Sequence, residues 1–349
     1  MKRWIVLIAI ALLVVAGVSA QDLDGLGRDF ERMIDELGAE LLPDLEQSAI
    51  WGQYPGVASY ADQSNFFMSL SLGALLTDGL IGFVDETEFE VLNVSNLLQE
   101  IVEQSGSAAA GNLVDGLKTF FPVPVARLAL GFTLPRDVEA MIEVGGFPGF
   151  ITGWIGGAAG LDSLELGMYH AGAKVRKGLL ADSGPFPAIS LGGGYAFTGF
   201  NLAYDLATIG EKDNGYGQVS VGLGELNVQG LLNVASQVHT FGVDLQASKA
   251  FGFFVPFVGV SPYYHFASFG GGVGTDETFK AYVDYLDGGT AEDITYTGDA
   301  PSTAWVDHDL SFVVFGGFDM VFGEFVVQVN SSWSVAKGSP GVSLNARWQ

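Results

Sequence analysis

The chain has no cysteine, little basic charge and few histidines, and each shortage closes off a class of function. Without cysteine there is no disulfide framework and no thiolate to hold a metal or attack a substrate. The four histidines, His170, His239, His265 and His308, show no metal-ligand spacing and no HExxH pattern. They read as strand and loop residues, so no metal and no other cofactor is expected. Lys and Arg number 15 against 40 Asp and Glu, a formal charge of −25. That sign is wrong for gripping phosphates, and nucleic acid is not an expected partner.

Catalytic signatures are missing as well. Ala188-Ile189-Ser190-Leu191-Gly192 lacks the first glycine of a nucleophile elbow, and Gly192-Gly193-Gly194 and Gly270-Gly271-Gly272 lack what completes a phosphate loop. No enzyme is expected. Three uncharged runs, Val144–Leu161, Ser183–Tyr204 and Ala250–Thr275, are each broken by Gly-Gly pairs, proline or period-two alternation, so none reads as a spanning helix.

What the chain does have is glycine (49) and phenylalanine (26), too much glycine for a helical bundle and too many aromatics for disorder. The N-terminus reads as a secretory leader over residues 1–20. Lys2 and Arg3 precede the apolar run Trp4 to Ala16, and Gly17-Val18-Ser19-Ala20 gives small residues at the third-last and last places. With no cysteine after the cut, a lipid-anchored lipoprotein is not expected. From Asp22 to Leu45 the spacing is helical: Leu26, Phe30 and Ile34 share an apolar face with Leu37 and Leu41, and Pro43 is expected to end the helix. Residues 21–62 are therefore expected to form a plug or a periplasmic segment, with Leu26, Phe30 and Ile34 as its gating side chains.

Residues 63–349 read as β-structure. In VHTFGVDLQASKAFGFFVPFVGVSPYYHFA (238–267), Phe241, Val243, Leu245 and Ala247 alternate with Gly242, Asp244, Gln246 and Ser248. A turn around Lys249 to Gly252 leads to an aromatic second arm, with rings near both ends, as in strands that cross a bilayer. Expected strands are Asn65–Leu76, Val125–Leu134, Val138–Phe147, Leu164–Val175, Ala188–Thr198, Asn201–Leu206, Gln218–Gln229, Val238–Ser248, Phe253–Ala267, Asp309–Met320, Glu324–Trp333 and Val342–Trp348. That predicts an all-β transmembrane antiparallel up-and-down barrel of about 12 strands, with 10 to 14 open. A helical insert is expected over Glu86–Phe121 and a long irregular acidic loop over 270–308. Glu324, Val326, Gln328, Asn330 and Ser332 alternate with Phe325, Val327, Val329, Ser331 and Trp333, and in the last segment Val342, Leu344, Ala346 and Trp348 oppose Ser343, Asn345, Arg347 and Gln349.

The segment Asp22–Ile50, the hairpin VHTFGVDLQASKAFGFFVPFVGVSPYY and the closing VSLNARW together resemble a bacterial outer-membrane β-barrel. Within that class they resemble a FadL-like transporter of hydrophobic compounds, as also occurs among spirochaetal outer-membrane proteins. The resemblance implies an N-terminal hatch and a substrate-binding lumen. The hatch motif Asn-Pro-Ala is absent, and the insert 86–121 has no counterpart in that family.

The expected function is a channel or transporter for small or hydrophobic solutes through a plugged lumen in the bacterial outer membrane. Outer-membrane lipid is the expected surroundings, and the barrel-assembly machinery a partner during biogenesis. Lumen residues expected to set selectivity are Asp244, Gln246, Glu324, Gln328, Asn345 and Arg347, with Glu165 another strand-borne carboxylate expected to face inward. The alternatives are a non-transporting surface protein, an adhesin or structural barrel acting through its acidic loop, and an exported soluble β-protein.

Overall fold

The computed structural model describes residues 23–50, 56, 58, 66–77, 121–147, 164–205, 217–221, 224–229, 231–274, 278–285, 296–299, 302–335 and 338–349. The expected leader and the expected helical insert, apart from Phe121, lie outside the described residues. One helix, α1 (Leu23–Ile50), precedes fourteen described strands. They are β1 (Phe66–Thr77), β2 (Phe121–Leu134), β3 (Val138–Gly146), β4 (Leu164–Leu180), β5 (Ala188–Asp205), β6 (Gly217–Val221) and β7 (Gly224–Gln229). After these come β8 (Leu231–Ser248), β9 (Phe254–Gly274), β10 (Thr278–Tyr285), β11 (Tyr296–Asp299), β12 (Ser302–Phe322), β13 (Phe325–Ser334) and β14 (Pro340–Trp348).

Ten of these close into a barrel in the order β1-β14-β13-β12-β9-β8-β5-β4-β3-β2, and every neighbouring pair is antiparallel. The expected twelve becomes ten for two reasons. The expected strands Ala188–Thr198 and Asn201–Leu206 are one strand, β5, running through Gly199. The expected strand Gln218–Gln229 is instead the hairpin β6–β7, which pairs with β10 and β11 in a separate sheet of order β11-β10-β7-β6. The expected irregular region 270–308 is also corrected: β9 runs on to Gly274, β10 and β11 build that second sheet, and β12 starts at Ser302.

Closure fixes how the strands lean. From Val255 on β9 the hydrogen-bonded partners run through Asp319, Gln328, Asn345, Ser71, Arg127, Gly145, His170, Thr198 and Val238 to Ala267, twelve residues further along the same strand. A stagger of this size on ten strands requires a tilt of roughly 40° from the barrel axis. It also leaves an interior wider than the one side chains just fill in an eight-stranded barrel.

The exterior is apolar where a bilayer would touch it. Leu70, Leu128, Ile142, Val175, Val243, Leu245, Val258, Val314 and Leu344 all point outward and are exposed. Rings border this band. Toward one end lie Phe66 with Phe132, 5.5 Å apart, and Phe253 with Phe322, 6.2 Å apart. Toward the other lie Tyr169 with Phe197, 5.7 Å apart, and Tyr195 with Phe241, 5.0 Å apart. Along β9 the climb from Phe254 to Phe266 spans about 30 Å of axis at ~3.3 Å per residue and this tilt, the thickness of a hydrocarbon core. Beyond it the outward positions of β8 become Ala235, Asn233 and Gln237. Leu245→Arg is therefore expected to cost about 2–4 kcal/mol and Asn233→Arg about 0–1. Folding yield into vesicles checks both; equal costs would mean that the bilayer lies elsewhere.

The two ends differ. The turns at 135–137, 181–187, 249–253 and 323–324 are short, and they share one end with the start of β1 and the end of β14. Every connection at the opposite end but β13–β14 is long. At the short-turn end Lys249 Nζ donates to Asp182 and to the carbonyl oxygen of Gly184 at 2.6 Å, and Ala250 N donates to Asp182 Oδ2 at 2.8 Å. The Lys249 ammonium first, then the Ala250 amide, holds the Asp182 carboxyl below its ordinary range. A lowered folded value means that this tie between turns is complete above the usual carboxylate range and is lost as pH falls through the lowered value. Acid-dependent proteolysis of the 249–253 turn is expected in the native protein, and Asp182→Asn should be cut at every pH.

Candidate functional site

The barrel interior is filled by α1. Ile34 (0% exposed), Leu42 (1%) and Leu45 (3%) form its buried stripe, at helical spacing. They press mainly on β5, β8, β9 and β12. Leu42 and Leu45 pack with Val125, Met168, Phe200, Val238 and Ala267 from five strands. Gly38 is required for this seating, since a Cβ there would stand 2.6 Å from Cε1 of Phe269. Polar ties add register. Gln47 Nε2 donates to Ser339 O at 2.8 Å, Arg127 donates to Ser48 O, and Thr303 donates to Asp35. The helix runs through Pro43 to Ile50 rather than ending at Pro43. Proline removes one backbone rung, but the buried contacts of Leu45 to Ser48 hold the following turns in place.

Below the helix, toward the short-turn end, the wall turns polar and the side chains close on each other. Lys174 Nζ bonds Asp244 Oδ1 at 2.7 Å, and Arg176 Nη1 lies 3.5 Å from Glu139 Oε1. Arg176 Nη2 also donates to Gln246 Oε1 at 2.9 Å and to Ser190 Oγ at 3.1 Å. Glu143 Oε1 faces His170 Nε2 at 2.8 Å and Arg127 Nη1 at 3.6 Å, and His170 Nδ1 meets Thr198 Oγ1 at 3.0 Å. Arg347 Nη2 lies 3.5 Å from Asp319 Oδ2 and stands over the Phe67 ring. Gln328 Nε2 donates to Asp319 Oδ1 at 2.9 Å, and Asn345 donates to Gln328. Among the described residues the belt thus holds Arg127, Lys174, Arg176 and Arg347 against Glu139, Glu143, Asp244 and Asp319, a formal charge balance of zero when histidine is counted as neutral.

The chain below α1 is sealed into the same belt. Gln246 Nε2 donates to Gly56 O at 2.6 Å and Ala58 N donates to Ser248 Oγ at 2.9 Å. A small cavity of about 30 Å³ remains beside Phe67, Ser71, Glu143, Asp319, Asn345 and Arg347, room for a water or two.

Of the residues expected to line the lumen, Asp244, Gln246, Gln328, Asn345 and Arg347 point inward and are buried. Glu324 does not. It lies in the turn between β12 and β13, exposed, where it accepts from Trp348 Nε1 at 3.3 Å, because β13 starts one residue later than the alternation suggests. Glu165 is exposed as well, on the outward phase of β4. Ile34 meets the wall at Gly271. Leu26 and Phe30 fall on α1, but their side chains lie outside the described residues. Arg127, Glu139, Glu143, His170, Lys174, Arg176 and Asp319 were not anticipated as site residues. The signal was present in Lys174 with Arg176 and Glu139 with Glu143, charges repeating in one strand phase.

No protein-family model matches the chain, and no curated sequence does. Solved structures with similar folds include the translocator domain of the autotransporter NalP from Neisseria meningitidis, at 8% identity over 90% of this chain and 97% of that one, TM-score 0.36. The outer membrane protease OmpT from Escherichia coli matches at 10% identity over 84% and 98%, TM-score 0.37. A Pseudomonas aeruginosa FadL homologue matches at 9% identity over 87% and 97%, TM-score 0.27. The strand pairing and the exposed apolar band carry the conclusion by themselves: this chain is a closed antiparallel β-barrel with an apolar exterior.

Proposed function

We propose that the protein is a passive channel for small or hydrophobic solutes, held shut by its own N-terminal helix. The observation that carries this reading is the change of lining along the lumen. Under α1 the wall is apolar, with Val125, Met168, Phe200, Val238 and Ala267. Beneath it the wall is a balanced polar belt. A lumen of this kind, once vacated by the helix, offers an apolar solute a surface to enter along and a polar constriction to pass. With no cysteine in the chain, no disulfide ties α1 to the wall, so beyond its own chain connection to β1 its position is set by packing and a few hydrogen bonds.

Liposome swelling with a solute series tests the reading. Native protein should pass solutes slowly, and a chain lacking residues 23–50 should pass them quickly, with apolar solutes favoured over sugars of equal size. A second reading, a surface protein that conducts nothing, is favoured by the ordered sheet β11-β10-β7-β6 built from the long connections. A folded barrel that stays impermeable without α1 would support it.

A further inference from the structure

We propose that folding of this barrel carries its own N-terminal segment outward across the membrane, so that α1 begins on the outer face and anything joined to it is displayed there. The contacts of the segment give its direction. Ile34 and Gly38 sit at Gly271 and Phe269, near the long-connection end of β9. Leu42 and Leu45 reach Val238 and Ala267, lower in the wall. Gly56 meets Gln246, and Ala58 meets Ser248, the last residue of β8 before its short turn. Each step along the sequence is a step toward the short-turn end, and β1 then starts there, with Phe66 opposite Phe132 beside the 135–137 turn. The polypeptide therefore crosses the membrane twice in succession, first inside the lumen and then in the wall.

Barrels place short turns on the periplasmic side and long connections outside. On that assignment the segment descends from the outer face to the periplasmic face, and its N-terminal end is external. A helix of 28 residues is about 42 Å long at 1.5 Å per residue, more than a hydrocarbon core. The residues ahead of Ile34 add about 16 Å beyond the rim contacts. Arg28, Glu31 and Arg32 are exposed there. Charged side chains of this kind do not cross lipid directly, and the lumen gives them a path shielded from it.

The cysteine-free chain makes the test clean. Full-length protein carrying Glu31→Cys, Asn233→Cys or Ser183→Cys is expressed in the bacterial outer membrane and treated with a polymer-linked maleimide too large for porins. Asn233, on the outward face of β8 beyond the apolar band, and Ser183, in a short turn, mark the two faces. Glu31→Cys is expected to label in intact cells together with Asn233→Cys, and Ser183→Cys only after the membrane is opened. Labelling of Glu31→Cys only after opening, in step with Ser183→Cys, would overturn the proposal. The readout is topology alone, so it stands or falls whether or not the barrel conducts.

Discussion

Replacing Leu42 and Leu45 together by serine is expected to open the barrel. Both side chains are fully enclosed between α1 and the wall, and each buried leucine is worth about 1.5–3 kcal/mol. Losing both favours the displaced helix by about 3–6 kcal/mol, roughly a hundredfold to ten-thousandfold in the ratio of open to closed barrels. The wall does not depend on these contacts, because its hydrogen bonds run between strands. The variant should thus keep the heat-modifiable gel mobility of a folded barrel while single-channel recordings change from rare openings to a persistently open state. An unchanged record with intact mobility would mean that α1 is not what closes the lumen.

The second large effect belongs to Arg176→Met. Arg176 holds Glu139, Gln246 and Ser190 in one buried cluster, with Asp244 3.9 Å from its Nε. Removing one member of a buried ion pair strands the others, which typically costs 3–5 kcal/mol. Urea unfolding in detergent should show a loss of about that size. The same substitution leaves the belt with one more negative than positive charge. In the Leu42→Ser, Leu45→Ser background it should move the reversal potential in a salt gradient toward the cation's value. A loss of stability without a change in selectivity would make the belt structural only.

The sequence shows the part of this fold that faces lipid and conceals the part that does not. Below the upper rings, Phe241, Val243 and Leu245 point out while Asp244 and Gln246 point in, an oily and wet alternation that is plain in the residues. Above them the phase is kept but the polarity inverts. On the same strand Leu232, Val234 and Val238 point in against α1, and Asn233, Ala235 and Gln237 point out to water. An alternation that reverses midway looks like two short segments, so the pattern ends strands at Val238, Ala267 and Asp309 where β8, β9 and β12 run seven residues further. The same reversal, at Phe200 and Asn201, split β5 in two. The polar belt was half legible. Asp244, Gln246, Gln328, Asn345 and Arg347 follow from strand phase alone. Their partners lie one or two strands away, Asp244 with Lys174 across β5 and Arg347 with Asp319 across β13, and depend on a strand register that no local pattern records.

The closure itself can be tested by fixing the helix in place. Ile34 Cγ2 lies 2.6 Å from where a Cβ on Gly271 would stand, so Ile34→Cys with Gly271→Cys can be joined by a short thiol crosslinker in a chain that has no other cysteine. Solute flux through reconstituted protein should vanish when the pair is joined and return when a reducible link is cut. Equal flux in the joined and cut forms would show that solutes pass without α1 moving, or do not pass through the lumen at all.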